Sequence, residues 1–319
     1  MCIRDSLGTG SAHPKYVLTN DKLSEFLDTS DEWITTRTGI KTRYISTDET
    51  LCDLATSASR HALDAAGVGA GELDLILVST LQGDCLTPSL SCMLQRELGA
   101  QCPAFDINAA CSGFLYALQM AAAFLDSGRA ETVLVCAAEM MSKQVDWTDR
   151  ATCVLFGDGA GSVVLKKGSG LRAMRLTARG DDRDLLVIGS HSGNNPFAQV
   201  QYPAPWLSMA GGEVFRFAVT SMVHDIRTVL EQSGLTAKEI KYVVPHQANL
   251  RILKAAAERL KLDEGQVVTG LERYGNTSSA SIPLVLDELA RDGRLSRGDI
   301  LVFSAFGGGL TTGACVIEY

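Results

Sequence analysis

The strongest constraint on the fold of this chain is an internal repeat. Residues 66–79, AGVGAGELDLILVS, match residues 233–246, SGLTAKEIKYVVPH, at an offset of 167. Residues 129–138 and 297–306 also match, at an offset of 168. Two separate matches with nearly the same spacing predict a duplicated fold, in which each half builds the same kind of unit.

Helix and strand patterns alternate within each half. Apolar residues recur with the helical period over 53–66, 113–127, 214–233, 250–260 and 281–292, and short apolar runs typical of buried strands occupy 75–79, 132–137, 242–244 and 300–304. This alternation predicts an α/β fold. We expect two similar halves, 1–168 and 169–319, packed about a pseudo-twofold axis with helices between the two sheets. We interpret the Gly- and Pro-containing segment 189–212 as a loop or insertion.

Composition narrows the function. The net charge of −8 disfavours a nucleic-acid partner, because such surfaces need an excess of Lys and Arg. The nine cysteines show no CxxC pair and no zinc-ligand spacing, so we expect free thiols, a reducing compartment and no metal. No apolar run reaches the roughly 20 residues of a membrane span, and the start does not resemble a signal peptide. We therefore expect a cytoplasmic protein with no membrane partner.

Cys111 is the candidate nucleophile. It lies in residues 104–118, AFDINAACSGFLYAL, between a short strand and a helix that begins near Ser112. The N-terminus of a helix favours the thiolate, which is the nucleophilic form of cysteine. The small residues around Cys111 would let an acyl group approach closely. We interpret the other eight cysteines as buried structural residues.

His246 is the candidate imidazole partner. It follows the predicted strand 242–244, at the carboxyl end where sites of α/β proteins collect. His61 and His224 fall within amphipathic helices instead, and we interpret them as packing or solvated residues.

Asn276 is the candidate amide partner, in the turn 274–279, YGNTSS, before a predicted helix. An Asn at this place can also act as a helix cap. The offset of 168 places Asn276 opposite Asn108 and Ser279 opposite Cys111. The repeat therefore predicts that this turn faces the nucleophile turn across the axis.

Two glycine-rich segments differ in what they predict. The segment 305–313, AFGGGLTTG, follows the last long predicted strand, and its glycines could present a backbone N–H to a developing oxyanion. The segment 156–161, FGDGAG, lacks the spacing and the following helix of a dinucleotide-binding loop.

Four motifs resemble, in order and spacing, the β-ketoacyl-acyl carrier protein synthase III family of the thiolase fold. They are DINAACSGF at 106–114, PHQAN at 245–249, YGNTS at 274–278 and FGGG at 306–309, and DEWITTRTG at 31–39 adds a fifth. The resemblance extends from about Gly8 to the C-terminus. It implies a thiolase-like, duplicated five-layer α-β-α-β-α fold.

The resemblance also implies the initiating condensation of type II fatty acid synthesis. Cys111 would accept an acyl group from acyl-CoA, and malonyl-acyl carrier protein would then lose CO₂ and attack the acyl-enzyme. His246 and Asn276 would stabilise the enolate, and the N–H groups of Cys111 and Gly308 would form the oxyanion hole. Acyl-CoA would be a substrate rather than a cofactor, and the protein would be a homodimer.

Residues for the two substrates follow from the same resemblance. Trp33 and Arg150 would sandwich the CoA adenine, and Arg37 and Arg251 would contact its phosphates. The pantetheine channel would be lined by Thr29, Phe215, Ala248 and Asn249. An acidic carrier protein would dock on Arg216, Arg251, Lys254 and Arg259. The alternative for this patch is an ordinary solvated helix face in which Lys254 pairs with Glu258.

The chain departs from the family pattern at three places. Residues 1–6, MCIRDS, place charges where the family has an apolar first strand, so we expect a truncated or foreign N-terminus and a frayed or absent first strand. Gly212 stands where relatives often carry a polar residue, which puts a pantetheine hydrogen bond in doubt. Thr87 stands where many relatives place a bulky aromatic that a neighbouring subunit inserts into the acyl pocket. We therefore expect Thr87 to gate a roomier primer pocket.

Other functions stay open. A related thiolase-fold starter enzyme of polyketide or quinolone biosynthesis would use the same Cys, His and Asn. A Cys-His thioester hydrolase is disfavoured because no carboxylate obviously orients His246. A non-catalytic binding protein would leave Cys111 without an acyl group.

Overall fold

The computed structural model describes residues 8–181, 183–190, 196–197 and 203–319. The helices are α1 (Asn20–Ser24), α2 (Asp31–Thr38), α3 (Leu51–Ala66), α4 (Leu90–Leu98), α5 (Gly113–Asp126), α6 (Gly211–Ser233), α7 (Leu250–Leu260), α8 (Leu271–Tyr274) and α9 (Ser281–Arg291). The strands are β1 (Gly8–Ala12), β2 (Tyr16–Thr19), β3 (Thr42–Ile45), β4 (Leu75–Ser79), β5 (Ala104–Ile107), β6 (Thr132–Met140), β7 (Asp158–Lys166), β8 (Leu171–Thr177), β9 (Leu186–Ile188), β10 (Leu207–Met209), β11 (Tyr242–Pro245), β12 (Ile300–Gly307) and β13 (Thr311–Glu318).

Two mixed sheets organise these elements. The first has the order β1-β7-β6-β4-β5, in which β4 pairs in parallel with β5 and β6, while β7 pairs antiparallel with β6 and β1. The second has the order β11-β12-β13-β8, in which β11 and β12 are parallel and the other neighbours are antiparallel. The parallel pairs carry the strands that the repeat predicts, so the two halves build corresponding sheets.

Helices α5 and α9 form the central layer between the two sheets. One apolar core joins them to both sheets, through residues such as Leu77, Leu115, Leu286 and Phe303. Separate cores hold α3 and α4 against the outer face of the first sheet, and α6 and α7 against that of the second. The chain therefore has the duplicated five-layer α-β-α-β-α arrangement that the sequence predicts.

The bounds of the predicted elements are close to the observed ones where local signals are strong. Helix α3 begins at Leu51 because Thr50 and Asp53 form a capping box, and it ends at Ala66 because Gly67 follows with a φ of 62°. Strand β6 extends past the predicted 132–137 to Met140, although it contains Glu139. A charged residue interrupts the apolar pattern but does not interrupt the backbone ladder.

Two interpretations of glycine-rich segments were incomplete. Segment 189–212 is not only a loop, because β10 lies within it, pairs with β9, and is followed by the start of α6. Residues 158–161 begin β7, which the sequence analysis did not assign. Gly161 is required there, since a Cβ would lie 2.7 Å from the Cβ of Pro283 on α9. The first strand was expected to be frayed or absent. It is not absent, since β1 spans Gly8–Ala12 and pairs with β7, and the fraying expected before Gly8 concerns residues outside those described.

The division of the chain at residues 168 and 169 stays a proposal. Strand β7 ends at Lys166 in the first sheet, and β8 begins at Leu171 in the second. The proposed boundary therefore falls in the short connection between the two sheets.

Candidate active site

Cys111 lies in the 3-10 turn Ala110–Ser112, directly before α5. The turn is tight: Ala110 has a φ of 48°, and its N–H donates to Oδ1 of Asn108 at 3.2 Å. Strand β12 packs directly against it, because a Cβ on Gly307 would lie only 2.6 Å from the backbone N of Cys111. The nucleophile turn thus depends on small residues from both halves.

The second half repeats this turn. The 3-10 turn Ser278–Ala280 precedes α9, Ser278 has a φ of 49°, and its N–H donates to Oδ1 of Asn276 at 2.9 Å. The two turns face each other, with Oγ of Ser278 at 3.5 Å from Sγ of Cys111. This is the arrangement that the offset of 168 predicts.

The orientation of the Asn276 side chain leaves its Nδ2 group free to donate to a ligand. Because Oδ1 accepts the N–H of Ser278, the Nδ2 group is the remaining donor of the side chain. The backbone of Asn276 is held on both sides, since its N–H donates to Leu155 O at 2.8 Å and its carbonyl accepts the N–H of Gly157 at 3.0 Å. Asn276 therefore combines both expected roles: Oδ1 accepts the N–H of the first residue of the following 3-10 turn, and Nδ2 is held in place as a donor.

His246 follows β11, as the sequence predicts, and is buried. Its backbone N–H donates to Ser304 O on β12 at 2.7 Å, and its ring packs edge-on against Phe306 with centroids 5.4 Å apart. Burial lowers the pKa of the imidazole to about 3, so the ring is neutral at physiological pH. A neutral imidazole can donate one hydrogen bond but is a weak base.

Cys111, His246 and Asn276 line one cavity of about 920 Å³. Its lining includes the apolar residues Leu186, Leu207 and Met209 from the antiparallel strands β9 and β10. Gly308, the proposed oxyanion residue, lines the same cavity, and a Cβ there would lie 3.2 Å from Leu186 O. The space is large enough, and apolar enough, for an acyl chain and a pantetheine arm.

Three arginines line this cavity with exposed side chains: Arg37, Arg216 and Arg251. In the part of the chain that the structure describes, the arginine ion pairs involve other residues, so these three guanidinium groups have no carboxylate partner. Unpaired cations on a protein with a net charge of −8 are suited to phosphate or carboxylate ligands.

The residues expected at the adenine end of CoA are only partly arranged for it. The Arg150 guanidinium lies 5.3 Å from the centroid of the Trp33 ring and donates to the carboxylate of Asp28 at 3.0 Å and to the Asp28 carbonyl. An aromatic ring between Trp33 and Arg150 would need a separation of about 7 Å, which is two van der Waals contacts. Arg150 must therefore move away from Trp33 before it can form the expected sandwich.

The residues expected to line the pantetheine channel also match this expectation only in part. Phe215, Ala248 and Asn249 line the cavity, whereas Thr29 lies outside its lining. Asn249 caps α7 by accepting the N–H of Arg251 at 2.9 Å, and it donates to the carbonyl of Arg37 at 3.2 Å. Gly212 also lines the cavity with open space where a Cβ would stand, so no side chain donates a hydrogen bond there.

The proposed docking patch consists of Arg216, Arg251, Lys254 and Arg259, all of them exposed. The alternative was a solvated helix face with Lys254 paired to Glu258. Among the described lysines, ion pairs form at Lys22, Lys143 and Lys241, and Lys254 is not paired. The four residues are therefore free cations among the described residues, and Arg216 and Arg251 also line the cavity.

Thr87 is exposed and lies outside the cavity of its own chain. Its neighbour Leu86 is 90% exposed. Thr87 can gate a primer pocket only if the loop reaches a second copy of the chain.

The other cysteines depart from one expectation. Cys52, Cys102, Cys136, Cys153 and Cys315 are buried, but Cys85 and Cys92 are exposed, because they lie in and beside the surface loop that carries Leu86. The interpretation of both as buried structural residues was wrong. All eight described cysteines are free thiols.

Within the described ranges, no three metal-ligating side chains cluster, and no helix has both the length and the apolarity that a membrane crossing requires.

Glu139 and Ser278 also belong to this site, although neither was predicted from the sequence. Glu139 is buried; its Oε1 accepts hydrogen bonds from Oγ of Ser279 at 2.7 Å and of Ser278 at 3.1 Å, and its Oε2 accepts the N–H of Leu81 at 3.0 Å. Burial raises the pKa of this carboxyl to about 7. The sequence does mark Glu139, because it is the single charged residue inside the apolar run 132–140.

Desolvation opposes the thiolate that is expected at Cys111. Burial, with a smaller contribution from the charge of Glu139, raises the pKa of the thiol to about 12, and the hydrogen bond from Ser278 opposes this only in part. Desolvation therefore opposes the effect of the helix N-terminus on this half-buried cysteine, and the thiol needs a proton acceptor.

Comparisons with known proteins agree along the chain. Residues 105–181 match the family described as 3-oxoacyl-[acyl-carrier-protein] synthase III, and residues 230–319 match its C-terminal domain. The β-ketoacyl-[acyl-carrier-protein] synthase III of Xanthomonas campestris pv. campestris is 50% identical over 318 residues, which cover 98% of this chain and 97% of that protein.

Solved structures give the same result. The crystal structure of 3-oxoacyl-[acyl-carrier-protein] synthase III from Aquifex aeolicus matches with a TM-score of 0.92 and 46% identity, and covers 98% of this chain and 99% of that one. The priming β-ketosynthase from the R1128 polyketide biosynthetic pathway matches with a TM-score of 0.91 and 38% identity, over 98% of this chain and 94% of that one.

Proposed function

The chain belongs to the β-ketoacyl-acyl carrier protein synthase III family and is an initiating condensing enzyme of fatty acid synthesis, and we propose that Cys111, His246 and Asn276 carry its reaction. The observation that supports these roles is that all three line one apolar cavity with unpaired arginines on its lining. The substrates that the family implies are acyl-CoA and malonyl-acyl carrier protein.

In the first half-reaction, the sulfur of Cys111 attacks the thioester carbon of acyl-CoA, and the CoA thiolate leaves. The developing oxyanion would accept the N–H groups of Cys111 and Gly308, since both residues line the cavity. The acyl chain would extend along the apolar wall that Leu186, Leu207 and Met209 form.

In the second half-reaction, malonyl-acyl carrier protein loses CO₂ and leaves an enolate, which attacks the acyl-Cys111 thioester. Nδ2 of Asn276 and the neutral ring of His246 would donate hydrogen bonds to the enolate oxygen. Both donors are held before the substrate arrives, by Ser278 and by the packing against Phe306. Such preorganised donors stabilise developing charge more effectively than water does. These steps require no further cofactor.

The carrier protein would dock on the free cations Arg216, Arg251, Lys254 and Arg259, and the CoA phosphates would contact Arg37 and Arg251. Both ligands are anionic, and these side chains have no carboxylate partner among the described residues. Opposite charge at an interface accelerates association and orients the partner.

We propose a homodimer in which Thr87 reaches the cavity of the second copy. Strand β5 is an edge of the first sheet and carries the exposed Phe105, and Leu86 beside Thr87 is almost fully exposed. An unpaired edge strand is a surface on which another copy can add its own strand.

A cytoplasmic location is consistent with eight free cysteines.

The main test measures the intact mass of the protein after it is mixed with acetyl-CoA. We expect one acetyl adduct on the wild type and on Cys92→Ala, which removes an exposed thiol, and none on Cys111→Ala. Malonyl-acyl carrier protein should then discharge the adduct and release the β-ketoacyl product. An adduct that survives Cys111→Ala, or one that water alone discharges as fast as the carrier does, would contradict the proposal.

A second candidate is the priming of a polyketide pathway, which the likeness to the R1128 ketosynthase supports. The same cavity would then accept a longer or branched primer. The mass experiment separates the two if it is repeated with acyl-CoA of increasing length and with fatty acid and polyketide carrier proteins. Sedimentation measures the oligomeric state, and Thr87→Phe should shorten the longest primer accepted.

A further inference from the structure

The hydroxyl of Ser278 lies between the nucleophile and a buried carboxylate. Its Oγ is 3.5 Å from Sγ of Cys111 and 3.1 Å from Oε1 of Glu139. We propose that Ser278 and Glu139 form a proton relay that takes the thiol proton from Cys111. This inference rests on the proposed function only in that it takes Cys111 as the nucleophile.

A single hydroxyl can serve both neighbours because it donates one hydrogen bond and accepts two. When Glu139 is ionised, the Ser278 O–H donates to the carboxylate, and Oγ can accept the S–H of Cys111. When Glu139 is protonated, it donates to Ser278, and the Ser278 O–H donates to the Cys111 thiolate. Passing from the first state to the second moves one proton from sulfur to carboxylate and leaves the heavy atoms in place.

The relay keeps the charge of the buried site constant. If Cys111 lost its proton to solvent while Glu139 stayed ionised, two negative charges would share one buried site, and the charge of Glu139 does raise the pKa of Cys111. Transfer through Ser278 leaves one negative charge before and after. The large cost of burying a second charge is thereby avoided.

His246 is not suited to accept this proton. It is buried, and burial lowers its pKa to about 3 because the charged ring would lose its solvation. A protonated imidazole would be a buried charge with little compensation. The neutral ring is consistent with its proposed role as a donor to the enolate.

Among the described residues in contact with Glu139, no titratable group could give it the proton in place of Cys111. Strand β7 places Gly159 opposite Glu139, the second turn supplies Ser278 and Ser279, and the segment after β4 supplies the N–H of Leu81. Asp158, the next residue on β7, already accepts hydrogen bonds from Ser46 and Ser142. Lys143, in the turn after β6, lies on the surface and pairs with Asp84.

The proton balances over both half-reactions. During acylation the thiol proton moves to Glu139, a C–S bond forms on Cys111, and the CoA thiolate that leaves takes a proton from water. During condensation the C–S bond to Cys111 breaks, and Glu139 returns its proton through Ser278 to the thiolate. The net reaction consumes one proton from solvent as CO₂ is released, and Glu139 ends in its starting state.

Ser279 provides a matched control. Its Oγ donates to the same carboxylate oxygen at 2.7 Å and lies 3.5 Å from the carbonyl oxygen of Ser79. Removing either serine hydroxyl takes one donor from Glu139, but only Ser278 contacts the sulfur. The backbone tolerates the change at Ser278, since Ala110 holds a φ of 48° in the corresponding turn and Ser278 has 49°.

The experiment measures the rate of Cys111 alkylation by iodoacetamide between pH 5 and 10, followed by mass mapping of the Cys111 peptide so that Cys85 and Cys92 do not contribute. It needs no CoA, so it can fail while the acylation test above succeeds, and the reverse. The proteins are the wild type, Glu139→Gln, Ser278→Ala and Ser279→Ala.

We expect the wild-type rate to rise through an inflection near pH 7, the pKa of Glu139. Glu139→Gln and Ser278→Ala should lose this inflection, and their alkylation rate at pH 7.5 should fall by about a hundredfold, the lower end of what a positioned base contributes. Ser279→Ala should keep it, with at most a displaced midpoint. The relay is wrong if Ser278→Ala keeps the inflection, or if Ser279→Ala loses it equally. Should Glu139→Gln not fold, the two serine variants decide.

Discussion

Asn108 and Asn276 make the same hydrogen bond in the two halves of the chain: each Oδ1 accepts the N–H of the residue two positions later, at 3.2 and 2.9 Å. The Nδ2 groups of the two side chains differ in their hydrogen-bond partners. Nδ2 of Asn108 reaches Leu81 O at 3.4 Å, whereas Nδ2 of Asn276 has no acceptor in the described part of the chain. One copy of the turn thus holds the nucleophile, and the other presents a free donor.

Replacing Asn276 by Asp should separate the two half-reactions. The carboxylate can still accept the N–H of Ser278, but it cannot donate to an enolate oxygen. We expect decarboxylation of malonyl-acyl carrier protein to fall by roughly 10²–10³-fold, the usual cost of removing one such donor. Acylation of Cys111 should change by much less. Separate assays of the decarboxylation rate and of the acylation rate measure this difference. Equal losses in both rates would contradict the assigned role.

Gly307 should not accept a side chain. A Cβ there would lie 2.6 Å from the backbone N of Cys111 and 3.1 Å from Cβ of Ala110, so β12 or the nucleophile turn would have to shift. We expect Gly307→Ala to lower the free energy of unfolding by about 1–3 kcal/mol, and to slow acylation strongly. Gly71→Ala, where a Cβ meets nothing within 4 Å, is the control in urea denaturation. A Gly307→Ala enzyme as stable and active as this control would refute the packing argument.

Lys254 should matter for the carrier protein and not for CoA. It is exposed and unpaired among the described residues, but it does not line the cavity. We expect Lys254→Glu to raise KM for malonyl-acyl carrier protein by about tenfold and to weaken its salt dependence, with KM for acyl-CoA unchanged. Lys167→Glu makes the same charge change at an exposed site in the connection after β7. If both variants behave alike, only net charge matters.

Asp28 should compete with CoA for Arg150. The carboxylate of Asp28 accepts Nη1 of Arg150 at 3.0 Å, and the guanidinium lies over the Trp33 ring at 5.3 Å. We expect Asp28→Ala to free Arg150 and lower KM for acyl-CoA by a few-fold, whereas Arg150→Ala should raise it. Steady-state kinetics at fixed carrier concentration measure both. A rise in KM for Asp28→Ala would show that the pair positions Arg150 rather than restraining it.

Glu139 should make stability depend on pH. Folding raises the pKa of this carboxyl from 4.5 to about 7, because it is buried. The folded state therefore binds the proton more tightly than the unfolded state, and the stability contribution is lost as pH rises from about 4.5 to 7. Relative to Glu139→Gln, the free energy of unfolding of the wild type should fall by about 3 kcal/mol over this range. Parallel stability curves from urea denaturation would rule this out.

The sequence alone determined the architecture and the three proposed catalytic residues. The repeat offset predicted two corresponding halves, and the strand-turn-helix order around Cys111 and Asn276 predicted turns that the structure places opposite each other. These features are set by local periodicity and by order along the chain, which the sequence carries directly. The family motifs lie at the same turns, so the resemblance identified the reaction as well.

Only the tertiary structure decided the charge state of the site. Glu139 and Ser278 are 139 residues apart, and Ser278 and Cys111 are 167 apart, so no local pattern relates them. Their contact exists because two sheets enclose α5 and α9 and bring the ends of remote strands and turns together. Burial there raises the pKa of both Cys111 and Glu139, and a pKa depends on the neighbours and the solvent that folding leaves around a group.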